Sequence, residues 1–392
     1  MRPSAARKGR GALSNRAGRF ETRQVVPLDE APDWIPGDGT ASGEPPGEPP
    51  RDGGSRDSGS RDGERPRDQR PEVAPPALRT TVTPEATRTI ITRNDSPDVP
   101  FDRSINPYRG CEHGCVYCFA RPSHAYLGLS PGLDFETRII SKPGAPDLLR
   151  KELAKPGYRC EPLALGANTD PYQPVERRLR ITRRVLEVLA EHRHPVTIVT
   201  KSDLVLRDLD LLGPMATMRL ARVMISVTTL DRALARRMEP RAATPERRLA
   251  AMRELTAAGV PAGVLSSPMI LGLNDHELER ILEASRAAGA VTAGYILLRL
   301  PHEIKDLFSE WLETHYPLKA PRVLALVRAT RQGRLYDARF GARMKGAGPH
   351  AELLRRRFEV ACRRLGLDRD RPRLDTSLFR PPGRPGDQFR LF

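Results

Sequence analysis

The stretch Asn106-Pro-Tyr-Arg-Gly-Cys111-Glu-His-Gly-Cys115-Val-Tyr-Cys118-Phe-Ala120 places three thiols in one short segment, each of the first two preceded by a glycine. At Cx3Cx2C spacing the three side chains converge on one centre. A structural zinc site takes four protein ligands and a redox dithiol takes two. Three thiolates leave one iron of a cubane iron-sulfur cluster open to an exchangeable ligand, which implies chemistry rather than scaffolding. Gly110 and Gly114 let the backbone fold tightly around such a group, and loop amides can donate to its sulfides. The alternative is a zinc knuckle completed by His113 or by the distant Cys160, although neither stands at zinc-finger spacing. Cys362 reads as a small buried hydrophobe.

Outward from this loop the chain alternates short β-rich runs with amphipathic stretches, the pattern of βα units that build a parallel sheet. A strand over 104–108 leads into the cysteines. A second over 163–166 precedes a helix over 176–192, on which Ile181, Val185, Val188 and Leu189 share one face. Strands over 196–200 and 223–228 are followed by helices over 204–215 and 245–258. The latter has Thr244 as a good N-cap, Pro245 at its first position and Gly259 for a left-handed cap. Strands over 263–265 and 294–298 flank a helix over 275–288. Six such units make an α/β fold, either an open doubly wound sheet or a partial (β/α)6 TIM-like barrel. Both put function at the C-terminal ends of the strands.

Residues 1–78 hold 11 Gly and 12 Pro with few large apolar side chains, which predicts a disordered tail unable to offset its chain entropy. The expected organisation is this tail, a core domain over 79–335, and a C-terminal helical extension and tail over 336–392. The first 78 residues balance 13 Lys plus Arg against 13 Asp plus Glu, so the formal +16 resides in residues 79–392. Such a surplus favours a polyanionic partner, nucleic acid first, because phosphate contacts release counterions. The plainer reading is a basic surface that keeps the protein soluble. The stretch from Met1 to Phe20 is Arg-rich but lacks the apolar core of a secretory signal, with a transit peptide as the weaker alternative. The apolar stretch 259–273 is interrupted by Pro261, Ser266, Ser267 and Pro268, so it is too broken to span a bilayer. A cytoplasmic protein with no membrane segment is expected, and three clustered cysteines out of five suit metal rather than disulfides.

The cysteine motif, with an aromatic residue before its last cysteine and a strand before its first, resembles the radical S-adenosylmethionine (SAM) superfamily. Further stretches narrow the resemblance: Asn106-Pro-Tyr-x-Gly-Cys111, Tyr117-Cys-Phe-Ala120, Asn168-Thr-Asp-Pro-Tyr172, Thr200-Lys-Ser202, Ser226-Val-Thr228 and Glu239-Pro-Arg241. In order and spacing they are similar to the spore photoproduct lyase-like, or DNA repair photolyase-like, branch over roughly residues 95–330, and a partial barrel is then the expected form. The resemblance implies a 4Fe-4S cluster on Cys111, Cys115 and Cys118 that reductively cleaves SAM. The resulting 5'-deoxyadenosyl radical would take hydrogen from a nucleic-acid-type substrate, with a flavodoxin or ferredoxin as electron donor. It also implies that Tyr117 contacts the adenine and that Asn168, Thr169 and Asp170 approach the methionine ammonium. Lys201 and Ser226 would face the methionine carboxylate and the ribose, with Arg241 a further carboxylate candidate. Asp170 before Pro171 also suits a plain turn, and Arg241 a solvated cation.

One departure matters. The lyase of that branch returns hydrogen from a cysteine near the end of its second strand, where this chain has Ala167. Tyr172 and Tyr295 are the candidate hydrogen donors in its place, or regenerated cosubstrate. Two other functions stay open, a radical enzyme with a peptide or small-molecule substrate and a nucleic-acid-binding protein with a structural metal. Finally, Gln388-Phe-Arg-Leu-Phe392 resembles the peptide that docks bacterial sliding clamps, with packing of Leu391 and Phe392 on the barrel's open side as the alternative.

Overall fold

The computed structural model describes residues 7–20, 78–368 and 373–383. Its framework is six strands: β1 (Arg103–Ile105), β2 (Leu163–Leu165), β3 (Val196–Thr200), β4 (Ala221–Ser226), β5 (Ala262–Met269) and β6 (Thr292–Leu297). Each lies parallel to the next in sequence order. The strand Ile91–Arg93 adds antiparallel to β1. It and β6 form the two outer edges of the sheet and do not pair, so the parallel α/β sheet stays open, as a partial (β/α)6 barrel requires. A separate three-stranded sheet joins Thr81–Pro84, Arg138–Ser141 and Tyr108–Arg109.

One face of the parallel sheet is buried, with Leu163, Leu165, Val196, Ile198, Val223, Ile225 and Val264 on it, while Thr197, Val199, Leu265 and Ile296 on the other face are only partly buried. Ile181, Val185, Val188 and Leu189 are buried together on the helix Ile181–Glu191, as their spacing demands. The long helix expected here is broken, because Arg180 adopts a left-handed backbone (φ 51°) and separates a short helix, Glu176–Leu179, from the longer one. The helix Pro245–Ala257 starts where its cap was expected, with Thr244 Oγ1 accepting from the Arg247 amide at 3.5 Å, and Gly259 follows it at φ 75°.

Most of the expected disordered tail, residues 21–77, lies outside the described residues. Residues 7–20 depart from that expectation, since Arg10, Ala12 and Leu13 are buried. Composition averaged over the whole segment hides the short Arg10-Gly-Ala-Leu13 run, whose polar backbone finds partners on the folded domain. In the C-terminal extension, the helix Pro349–Leu365 packs on the helix Leu278–Ala287, aided by a 2.7 Å pair between Arg357 and Glu279. Residues 373–383 return to the N-terminal end of the sheet, where the Phe379 ring lies 5.3 Å from His194 and 5.5 Å from Tyr158. Gln388 to Phe392 lies outside the described residues. Among the described residues, no helix is long and apolar enough to cross a membrane.

Burial pushes His194 down from 6.5 to about 4, and its Nε2 shares a 2.8 Å hydrogen bond with the Tyr158 hydroxyl. The unfolded chain takes up a proton near its ordinary value that the folded chain refuses until about pH 4. The site therefore contributes stability above about pH 6.5 that is progressively lost as pH falls toward 4. His194→Gln keeps a partner for Tyr158, and its melting temperature should fall less steeply than wild type from neutral to mildly acidic pH. An unchanged slope in thermal melts would show that His194 is not held neutral.

Candidate metal centre

The cysteine loop leaves β1 at its C-terminal end and is held by the segments that follow β2 and β4. The Glu112 amide donates to Gln173 Oε1 at 3.0 Å, and the Val116 amide to the Met238 carbonyl at 3.0 Å. Gly110 (φ 79°) and Gly114 (φ 67°) both use the left-handed region. A Cβ at Gly110 would stand 2.8 Å from the Phe135 carbonyl, and one at Gly114 2.7 Å from Glu136 Oε2, so both positions require glycine.

Cys111 and Cys115 are buried and Cys118 is partly open. Burial pushes the Cys111 thiol well up, as do the charges of Asp170 and of the other two cysteines. Burial raises Cys115 too, against the pull of Lys201. Cys111 and Cys115 thus hold their protons until a cationic centre claims them, which suits a metal cluster bound through thiolates. Cys160 precedes β2, at the opposite end of the sheet, and His113 places Nδ1 3.2 Å from Asp170 Oδ2. Among the described residues, no three His, Cys, Asp or Glu side chains close on a single ion.

Beneath the loop lies a fully buried ion pair, Arg121 with Glu136. Arg121 Nε donates to the Cys115 carbonyl at 2.9 Å, and Nη1 to the carbonyls of Pro131 at 3.0 Å and Gly132 at 2.8 Å. Glu136 also accepts from the amides of Gly11 at 3.0 Å and Ala12 at 2.8 Å. These bonds press the 7–20 segment against the loop so closely that a Cβ on Gly11 would stand 1.7 Å from the Gly114 carbonyl. Neither Gly11 nor Glu136 carries a motif signal, and sequence reasoning missed both.

Two more carboxylates set the mouth of the barrel, Glu239 buried and Asp170 partly so. Asp170 accepts from the Thr200 hydroxyl at 2.7 Å, the Lys201 amide at 2.8 Å and the Tyr172 amide at 2.9 Å, and faces His113. Burial alone would raise its pKa, but the His113 charge and these hydrogen bonds hold it at about 2. With both oxygens occupied, Asp170 has no lone pair left for an ammonium. Asp170 thereby ties β2, β3 and the cysteine loop together. Thr169 is similarly committed, donating to the Gly110 carbonyl at 2.6 Å. Glu239, which sequence reasoning quoted without a role, accepts from the Tyr117 hydroxyl, Arg248 and, at 2.6 Å, the Thr228 hydroxyl.

Ser226 is buried at the end of β4, with Oγ 3.3 Å from the Ser267 carbonyl. Arg241 uses Nη1 to pair with Glu112 at 2.9 Å and to reach Thr80 Oγ1 at 3.2 Å. Both hydrogen-donor candidates lie elsewhere. Tyr172 is fully buried with its hydroxyl 3.0 Å from Asp208 Oδ2. The Tyr295 ring lies 4.7 Å from Phe358 and 3.9 Å from Lys345 Nζ, facing the C-terminal helix. What stays available is the exposed Asn168 side chain and the Lys201 ammonium, which sits 5.8 Å from the Tyr117 ring centroid. Neither side chain has a hydrogen-bond or ion-pair partner among the described residues.

Replacing Gly11 with valine must lift the N-terminal segment off the loop. In the metal-free protein the three loop thiols should then be alkylated at least about tenfold faster, the effect of a local opening made easier by about 1.4 kcal/mol. A wild-type rate would show that residues 7–20 do not seal the loop.

A family model of the radical SAM superfamily matches residues 105–284. An uncharacterized protein of Mycobacterium tuberculosis is 38% identical over 232 residues, covering 59% of this chain and 68% of that protein. One from Methanocaldococcus jannaschii is 27% identical over 213 residues, covering 54% of this chain and 76% of that protein. Among solved structures, spore photoproduct lyase complexed with dinucleoside spore photoproduct superposes with a TM-score of 0.52 at 17% identity, over 72% of this chain and 79% of that one. At that identity the likeness speaks for the fold alone. With three cysteines in the loop that follows the first of its parallel strands, the chain belongs to the radical SAM superfamily.

Proposed function

We propose that this protein is a radical SAM enzyme whose Cys111, Cys115 and Cys118 hold a 4Fe-4S cluster and which abstracts hydrogen from a nucleic-acid-type substrate. Membership of the superfamily itself implies the cluster and SAM. Bound in the loop, the cluster would supply the electron that cleaves a sulfonium bond of SAM to give the 5'-deoxyadenosyl radical. The observation that carries the reading is the partnerless Lys201 ammonium beside Tyr117, at the end of the sheet where the thiols lie. Lys201 would bind the methionine carboxylate, and the Asn168 amide the polar groups next to it. The Tyr117 ring, fixed by its hydroxyl on Glu239, would offer the adenine an apolar surface. Asp170 and Glu239 would act through these residues as positioning groups.

The nucleic-acid part of the proposal is supported by the formal +16 charge and by the fold shared with a lyase complexed with a dinucleoside. A flavodoxin or ferredoxin would deliver the electron. The catalytic domain would be residues 79–335 and the rest of the chain an extension to it.

After anaerobic reconstitution, the protein with dithionite and SAM should form 5'-deoxyadenosine. Cys111→Ala, Cys115→Ala and Cys118→Ala should lose both the brown colour and the product, whereas Cys160→Ala keeps both. Lys201→Ala should retain iron but bind SAM about tenfold more weakly, the worth of one charged hydrogen bond. A colourless protein carrying one zinc would sink the proposal and favour a structural metal. With Ala167 at the end of β2, the unmodified protein should not repair a spore photoproduct dinucleotide efficiently. Efficient repair would show that the missing cysteine is immaterial.

A further inference from the structure

We propose that the exposed arginines Arg177, Arg178, Arg180 and Arg184 form the surface on which the phosphate backbone of a nucleic acid docks. This deepens the nucleic-acid reading above and rests on it. All four are exposed, and none has an ion-pair partner among the described residues. The acids nearby are already taken. Glu176 is buried under Arg207 at 2.9 Å and also accepts from the amides of Ile181 and Thr182. Glu187, Asp208 and Asp210 are held by Arg183 at 3.2, 3.0 and 2.7 Å.

The contrast with the other arginine-rich helix decides between two candidate surfaces. On Pro349–Leu365, Arg355 and Arg356 pair with Glu352 at 2.6 and 2.9 Å, Arg357 with Glu279 at 2.7 Å, and Arg364 with Glu283. Those cations are neutralised within the fold, while the four of the 177–184 stretch offer their full charge to solvent.

Position adds to charge. The stretch follows directly on the β2 segment that supports the cysteine loop, where Gln173 Nε2 donates to the Gly110 carbonyl at 3.2 Å and the Tyr108 hydroxyl donates to Glu176. The arginines therefore stand at the catalytic end of the sheet. Arg180 itself is held at φ 51°, a conformation unfavourable for a long side chain, and that residue interrupts the helix in the middle of the cluster.

The test is fluorescence anisotropy of the full-length, cluster-loaded protein with a labelled DNA duplex and its single strand, across a series of potassium chloride concentrations. Each phosphate contact contributes about −0.9 to the slope of log affinity against log salt for duplex DNA. The variant Arg177→Gln/Arg178→Gln/Arg180→Gln/Arg184→Gln should flatten the slope by about 3.6 and weaken binding at least about tenfold at near-physiological salt. Arg355→Gln/Arg356→Gln should leave the slope at its wild-type value, and thermal melts of both variants check folding. If wild type binds DNA and the quadruple variant binds with the same slope, the docking surface is overturned and the substrate class stands. If wild type binds neither form of DNA, the nucleic-acid reading falls with it. Equal loss of binding to anionic phosphatidylserine vesicles, without DNA binding, would assign the arginines to a membrane surface and overturn the proposal.

Discussion

The buried pair of Arg121 and Glu136 is the interaction on which the thiol loop depends. Two charges at zero exposure are tolerable only when every donor and acceptor around them is used, because their desolvation outweighs an unassisted attraction. Here the guanidinium is spread over three carbonyls, one of them Cys115's own, and the carboxylate gathers two amides from the N-terminal segment. Removing one member of such a pair typically costs about 3–5 kcal/mol, a large part of the about 5–15 kcal/mol that holds a domain folded. The backbone of the central cysteine, residues 131–136 and the segment from Gly11 are thereby fixed as one unit.

The same physics, repeated at Asp170 and Glu239, divides the work around the mouth. Asp170 accepts from groups at the end of β3, and the buried Glu239 from the cysteine loop, the end of β4 and the helix that follows it. They hold the loop, Tyr117 and the ends of β2 to β4 in register but keep nothing in reserve for a ligand. Binding capacity is left to groups with exposed, uncommitted atoms, Lys201 and Asn168. A site assembled this way is rigid where it must orient and open only where it must bind.

The strand series was legible because its buried face is written in apolar residues at alternate positions, Val196 and Ile198 or Val223 and Ile225, and the start of the 245–257 helix because its cap is local chemistry. The three thiols were legible from spacing alone. The helix break was not, since nothing in Arg180 announces a left-handed backbone. Nor were the contacts of Asp170 and Arg241, because a sequence names a charged residue but not the partners it meets. The side of the sheet that Tyr295 takes was not legible either: alternation along β6 tells that its neighbours face the other way, not which face looks into the barrel. The packing of residues 7–20 hinges on two amides and a glycine, features that composition averages away.

The central claim is that three thiolates leave one iron of a cluster open at a mouth prepared for SAM. Electron paramagnetic resonance of the dithionite-reduced, reconstituted protein, recorded with and without SAM, addresses it directly. An open iron predicts that the cluster signal changes shape and g-values when SAM is added, and that Cys160→Ala shows the same change. A reduced cluster whose spectrum is indifferent to saturating SAM would mean that all its irons are already fully ligated, and would contradict the account.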